Sequence, residues 1–338
     1  MYQEKRWERT GSTILSQREA RAMLETSLTL RVHAIAFETD AVRLVELRDR
    51  EGGVLPPFPP GAHVDISLPG GLVRSYSLIG DPADRTRYVL GVQRDANGRG
   101  GSLFVHEELR VGTVIRVLPP TNNFPLVEDA RVSVLIAGGI GITPLLTMAE
   151  RLSTLGKIFV LHYGARDRAS APFLARLAKL GDAVRLSFSR EPGGRRVDVA
   201  SIVAGTVHDA ELYCCGPAGM LDAFVAATAD RDPARVHVEY FAATEPPAAE
   251  GGFTVVLARS GRCVSVPPGK TILEALIAAG LDPPFSCLEG VCGTCETRVI
   301  EGVPEHRDRV LSPHERAANK TMMLCCSGSK SEQLVLDI

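Results

Sequence analysis

From Leu28 to about Glu128, apolar and polar residues alternate in short runs such as Leu28 to Ile35 and Val42 to Leu47, broken by proline and glycine clusters at Pro56 to Gly61 and Pro69 to Gly71. Period-two alternation with frequent turn residues predicts the strands of a small antiparallel β-barrel over residues 28–128. Upstream, residues 1–27 are rich in Arg and Glu, with a lone Trp7 and a helical run from Ser16 to Leu24 that Ser16 and Glu19 can cap. They read as an N-terminal extension.

The rhythm changes at about residue 129. Val132 to Ala137 is a continuous apolar strand that runs through a glycine-rich turn into a segment where Ile142, Leu145, Leu146, Ala149 and Leu152 recur at helical spacing. Thr143 and Pro144 suit the N-cap and first turn of that helix, and Gly156 its end. Further strands are expected at Ile158 to Tyr163, Val184 to Phe188, Glu211 to Cys214 and Val236 to Phe241, with helices from Pro172 to Leu180 and from Ala218 to Ala227. Such alternation builds a doubly wound parallel sheet over residues 129–243. Residues 244–252, rich in proline and alanine, read as a linker. A final module, 253–338, opens with a hairpin over Phe253 to Val266 and a helix from Thr271 to Ala279, followed by a cysteine loop.

Cys287, Cys292 and Cys295 form C-x4-C-x2-C, and Cys325 and Cys326 compete for a distant fourth place. This is the plant-type ligand pattern for a [2Fe–2S] cluster, which needs three thiolates on one wrapping loop and one from a remote segment. Gly290 and Gly293 suit so tight a loop. Structural zinc sites usually pair their cysteines as two C-x2-C units, and here only Cys292 and Cys295 are so spaced. An electron-transfer centre is preferred over zinc or unliganded core thiols.

At 338 residues the chain has room for two or three domains, each with its own core. A net charge of −2 argues against a nucleic-acid binder. The N-terminus has no apolar h-region, and no stretch reaches the roughly eighteen apolar residues that a membrane span needs. Neither secretion nor membrane association is expected, and thiolate ligands favour a reducing compartment, so the expected location is the cytoplasm.

Gly138, Gly139 and Gly141 sit where a buried strand meets a helix, a place where backbone N–H groups and the helix dipole can receive a pyrophosphate. Alone the motif is modest, because such glycines often serve close packing. Cys215-Gly216-Pro217 ends a later strand on the same sheet edge, where ligands of these folds gather. In the barrel, Arg74-Ser75-Tyr76-Ser77 puts a cation, an aromatic ring and two hydroxyls on one strand, so a ligand would have to sit at the strand end or wrap over an edge. By itself the segment reads better as an ordinary surface strand with a snorkelling arginine. Asn97-Gly98-Arg99-Gly100-Gly101-Ser102 is either a phosphate cradle or a hairpin turn with spare glycines.

Together, the R-x-Y-S strand (Arg74, Tyr76, Ser77), the N-G-R-G-G-S loop, the Gly-Gly-Ile-Gly-Ile-Thr-Pro turn, the Cys-Gly-Pro turn and the cluster cysteines resemble the phthalate dioxygenase reductase family over residues 28–338. The resemblance implies a multidomain chain with an antiparallel β-barrel flavin domain, an α/β doubly wound nucleotide domain and a β-grasp ferredoxin domain. It implies FMN rather than FAD. Arg74, with Ser75 beside it, would hold the flavin phosphate together with Arg99, Gly100, Gly101 and Ser102. Tyr76 would pack on the isoalloxazine, Ser77 would hydrogen-bond near N5, Val92, Gln93 and Arg94 would line the ring or ribityl chain, and Phe241 would cover the flavin. Gly139, Gly141, Thr143, Cys215, Gly216 and Pro217 would bind the nicotinamide nucleotide, Thr143 and Cys215 flanking the nicotinamide. Ser77 and Cys215 are thus the expected catalytic pair. The implied fourth cluster ligand is Cys325, leaving Cys326 as a core thiol.

Hydride from NAD(P)H would pass to the flavin, and single electrons would leave through the cluster to a partner oxygenase, either a Rieske non-haem iron oxygenase or demethylase or a haem-thiolate monooxygenase. The family suggests NADH, usually read by an acidic residue after the strand ending at Phe188. Ser189 and Arg190 stand there instead and suit the 2′-phosphate of NADPH, which is the preferred donor. A monomer is expected. The alternative is a non-catalytic, redox-responsive iron–sulfur sensor, which gives no reason for three convergent nucleotide sites.

Overall fold

The computed structural model describes residues 27–338 apart from residues 70, 71, 97, 99, 242–246 and 286. The expected Ser16–Leu24 helix, Arg99 and the start of the expected linker therefore lie outside the described residues. Alternating sequence becomes barrel: β1 (Leu28–Thr39), β2 (Val42–Asp49), β3 (His63–Leu68), β4 (Leu72–Ser77), β5 (Tyr88–Gln93) and β6 (Val114–Val117) form an antiparallel sheet in the order β4-β3-β6-β1-β2-β5. A Leu78–Leu90 bridge draws the two outer strands together. The inward positions, including Leu30, Val32, Val45, Leu47, Val64, Ile66 and Leu90, make one apolar core. Strand β3 is buried on both faces, so His63 and Asp65 are covered along with Val64 and Ile66.

The apolar runs of the middle segment form a five-stranded parallel sheet: β7 (Val132–Gly138), β8 (Ile158–Ala165), β9 (Val184–Phe188), β10 (Glu211–Cys215) and β11 (Val236–Glu239), in the order β11-β10-β7-β8-β9. The strand order reverses between β7 and β10, the switch point where such sheets bind ligands. Local departures from the sequence reading have local causes. The Gly139–Gly141 stretch is already a 3-10 turn, so Gly141 takes the N-cap of helix Ile142–Thr154. Thr143 falls inside the first turn and donates its hydroxyl to the Ile140 carbonyl at 2.9 Å. The expected Pro172–Leu180 helix shrinks to Leu174–Leu177 followed by a 3-10 stretch, Ala178–Ala183, broken at Gly181. β11 stops at Glu239, two residues short of Phe241.

Barrel and nucleotide sheet share a core. Ile79 and Phe124 pack with Leu145, Met148 and Tyr213. Arg176 donates to the Ile79 carbonyl at 2.7 Å, and Thr147 to that of Leu78 at 3.1 Å.

The last module is a mixed sheet of β12 (Phe253–Leu257), β13 (Cys263–Val266), β14 (Glu296–Glu301), β16 (Thr321–Met323) and β18 (Gln333–Leu336) in the order β13-β12-β18-β14-β16, with β15 (Pro304–Glu305) and β17 (Gly328–Ser329) paired separately. β12 and β18 run parallel at its centre. Helix Ile272–Ala278, opened by a Thr271–Glu274 capping box, lays Ile272, Leu273 and Leu276 into the same core as Val255 and Leu334. This is the β-grasp arrangement. No helix among the described residues is long and apolar enough to cross a membrane.

Candidate functional site

A cavity of about 660 Å³ opens where the three units meet. Arg74, Ser75, Tyr76, Ser77, Gln93, Gly101 and Ser102 line it from the barrel, Thr143 and Phe241 from the nucleotide unit, and Cys287 and Cys292 from the cysteine loop. Arg74 and Tyr76 alternate with Ser75 and Ser77 along β4, yet all four reach the cavity because β4 is an edge strand and the space wraps over it. Burial pushes the Arg74 guanidinium down from its ordinary value, with Tyr76 opposing. An anionic partner would relieve that cost. Gly101 keeps the arginine in place: a Cβ there would lie 2.5 Å from Arg74 Cγ and 2.8 Å from its Nε. Ser102 Oγ accepts from the Asp95 amide at 3.1 Å, closing the turn beside it.

Other expected residues lie elsewhere. Val92 faces the barrel core, opposite in pleat to Gly91 and Gln93, and its carbonyl meets His106 Nε2 at 2.9 Å. Arg94 points outward to Glu107 at 2.7 Å. Gly100 caps the short helix Gly101–Glu107. Ser189 and Arg190 stand at the carboxyl end of β9, where their amides donate to the carbonyls of Ala165 and Arg166 at 3.1 and 2.8 Å.

Gly139, Gly141, Cys215, Gly216 and Pro217 lie at the switch point. The two turns are in contact: a Cβ on Gly141 would overlap the Cys215 carbonyl and the Gly216 amide, which is why glycine stands there. Cys215 is buried beside Glu239, and burial, then the neighbouring carboxyl, pushes its thiol well up from the ordinary value. Glu239 is only half-buried overall, but its Oε2 is shut off from solvent without a partner, and desolvation pushes the carboxyl up to about 8.

Cys287, Cys295 and Cys325 are buried and Cys292 half-buried. The Cys287 thiol meets those of Cys292 and Cys325, and the Cys295 thiol meets that of Cys325. Hydrogen bonds from those two thiols, then from the Val291 and Cys292 amides, hold Cys287 well below its ordinary value. The Glu289 amide adds a contact to its Sγ at 3.3 Å. Four converging sulfurs served by backbone donors fit an anionic iron–sulfur cluster. Cys326 touches Cys325 and instead fills the space beside Gly290, whose φ of +67° and lack of a Cβ let the loop pass.

Further contacts hold the cysteine-bearing unit against the other two. Asn123 Nδ2 donates to the Cys292 carbonyl at 2.5 Å. Arg309 lies 5.5 Å over the Tyr240 ring, with its Nη1 3.9 Å from Asp222. Asn123, Tyr240, Glu239 and His63 all line the cavity and all escaped the sequence reading. An acid inside the expected strand Val236 to Phe241, directly before Tyr240-Phe241, was a usable signal for Glu239; His63 and Asn123 gave none, since only tertiary contact brings them to the cysteines.

A flavin-type barrel, a nucleotide sheet and a β-grasp ferredoxin around one cavity define an NAD(P)H-dependent flavin and iron–sulfur electron-transfer reductase. Residues 255–329 match the family described as a 2Fe-2S iron-sulfur cluster binding domain. The chain is 56% identical over 92% of its length to phenoxybenzoate dioxygenase subunit beta of Ectopseudomonas oleovorans, covering 97% of that protein. It is 47% identical to tetrachlorobenzoquinone reductase of Sphingobium chlorophenolicum, covering 93% of this chain and 98% of that one. A solved structure of phthalate dioxygenase reductase, described as modular for electron transfer from pyridine nucleotides to [2Fe–2S], matches with 36% identity and a TM-score of 0.73 over 93% of this chain and 99% of that one. The chain belongs to the phthalate dioxygenase reductase family.

Proposed function

We propose that this reductase takes electrons preferentially from NADPH, carries FMN, and delivers them to a terminal oxygenase of the Rieske non-haem iron type. The single observation that carries this reading is the shared cavity, into which Arg74, Tyr76, Ser77, Thr143, Phe241 and Cys287 all project from separate units. Bound flavin supplies the conversion of a hydride into single electrons, and the cluster supplies a one-electron relay.

In this reading Arg74, set by Gly101 and joined by Ser102, holds the flavin phosphate. Tyr76 and Phe241, both lining the cavity, would pack against the flavin ring and shield it from water. Ser77, buried at the end of β4, offers its hydroxyl at the ring edge, while Thr143 and the protonated Cys215 border the nicotinamide. Cys287, Cys292, Cys295 and Cys325 ligate the cluster. Ser189 and Arg190 take the 2′-phosphate, supported by Arg166, which lies beside Arg190 across the neighbouring strand end. The dioxygenase name of the most similar curated relative cited above supports an oxygenase as acceptor. The quinone reductase name of the other favours, as second reading, direct reduction of a quinone. A cytoplasmic monomer completes the proposal.

Anaerobic stopped-flow mixing with NADPH and then NADH, with the released flavin identified, is the test. Flavin bleaching followed by cluster reduction, faster with NADPH, is expected. Chromophores that neither nucleotide reduces would overturn the reading in favour of a sensor.

A further inference from the structure

His63 opens β3 directly opposite Ser77 on β4 and is 6% exposed. Its backbone exchanges two hydrogen bonds with Thr121, at 2.9 and 3.0 Å, and its Nε2 meets Thr121 Oγ1 at 3.0 Å. The ring is thereby fixed in place and orientation. Its other nitrogen, Nδ1, is sealed from solvent and makes no hydrogen bond. Asp65, two residues on, acts on the ring through its charge, while its Oδ1 accepts the Ser75 hydroxyl at 2.5 Å. The imidazole lines the same cavity as Ser77 on one side and Cys287 and Cys292 on the other. Two residues beyond Thr121, Asn123 holds the loop itself through the Cys292 carbonyl. One short barrel segment, 121–123, therefore fixes both the histidine and the cysteine loop.

A buried ring nitrogen without a partner is costly, and a redox role or a group bound at that place is one physical reason a native structure keeps it. We infer that His63 is a positioning residue for electron passage between the flavin cavity and the cluster: with Nε2 accepting from Thr121, Nδ1–H is held for a sulfur on the Cys287 side of the cluster. A hydrogen bond to a cluster sulfur favours the reduced form, which carries one more negative charge. In the step itself one electron leaves the flavin and one arrives at the cluster; His63 makes and breaks no covalent bond and keeps its proton.

The inference rests on the proposed ligation by Cys287, and the experiment separates the two. In the holoprotein, the cluster midpoint is titrated anaerobically by the electron paramagnetic resonance of the reduced cluster and the flavin midpoint by absorbance, for wild type, His63→Leu, His63→Asn and Thr121→Val. His63→Leu is expected to disfavour cluster reduction about tenfold, 59 mV for a one-electron couple, with the flavin midpoint unchanged. His63→Asn, whose amide can donate near the place of Nδ1, is expected to recover at least half of that shift. Thr121→Val, which frees the ring, should shift the midpoint in the same direction by less, and it decides the matter if His63→Leu assembles no cluster. Unchanged cluster midpoints overturn the inference, as does a shift confined to the flavin. A wild-type protein without the reduced-cluster signal would instead overturn the underlying reading.

Discussion

Cys215 and Glu239 lie side by side on the parallel strands β10 and β11, in register, with the Cys215 thiol set against the Glu239 carboxyl at the switch point of the nucleotide sheet. Both groups are driven toward their neutral forms by burial, so this edge of the sheet, where Glu239 lines the cavity, carries no fixed charge from either group near neutral pH.

Glu239 ties stability to pH. Its carboxyl ionises at about 8 when folded and at an ordinary 4.5 when exposed, so between those values the folded state binds the extra proton. Stability contributed by this group is present below about 4.5, falls as pH rises to about 8, and is level beyond. Glu239→Gln is expected to flatten that slope and to exceed wild type by about 2–4 kcal/mol above the upper value. Thermal melts across the range check it; parallel curves for the two proteins would contradict it.

Arg74→Ala should weaken flavin retention by about 100-fold, the loss of a half-buried charge-assisted contact of about 2–3 kcal/mol. Gly101→Ala should act in the same direction without touching the charge, because the added methyl displaces the Arg74 stem. Flavin content after gel filtration reads both, and full occupancy in both would remove Arg74 from the site.

The adjacent cysteines should separate cleanly. Cys325→Ser is expected to lose or destabilise the cluster, since that thiol meets Cys287 and Cys295. Cys326→Ser should keep the visible spectrum of the cluster with only a packing penalty of about 1 kcal/mol beside Gly290. The opposite pattern would move the ligand to Cys326.

Donor preference should turn on the end of β9. Arg190→Ala is expected to raise KM for NADPH about tenfold and to change KM for NADH less than about twofold, because only the former presents a 2′-phosphate. Equal effects on the two nucleotides would assign the arginine to a feature they share.

The periods of the chain made the architecture legible. Two-residue alternation marked the barrel, apolar runs between helical stretches marked the parallel sheet, and C-x4-C-x2-C marked the cluster loop, because each depends on residues near one another in sequence. Helix ends were less legible: at Thr143 the preceding 3-10 turn took over the cap, and the expected Pro172–Leu180 helix starts late after Phe173, whose φ is +67°, and passes into a 3-10 stretch at Ala178.

What the sequence determined by itself was therefore every feature written by local spacing: three kinds of sheet, the glycine-rich turns at the sheet edge and the C-x4-C-x2-C loop. Spacing left Cys325 and Cys326 open, and the structure sets Cys325 against Cys287 and Cys295, as the family resemblance implied; tertiary structure alone decided that Val92 turns inward while Gln93 faces the cavity, and that His63, Asn123 and Glu239 belong beside the cysteines and Cys215. The reason is physical. A one-residue change of direction, or a contact between units more than a hundred residues apart such as Asn123 and Cys292, is set by which faces the packed domains bury against each other, and no local period encodes it.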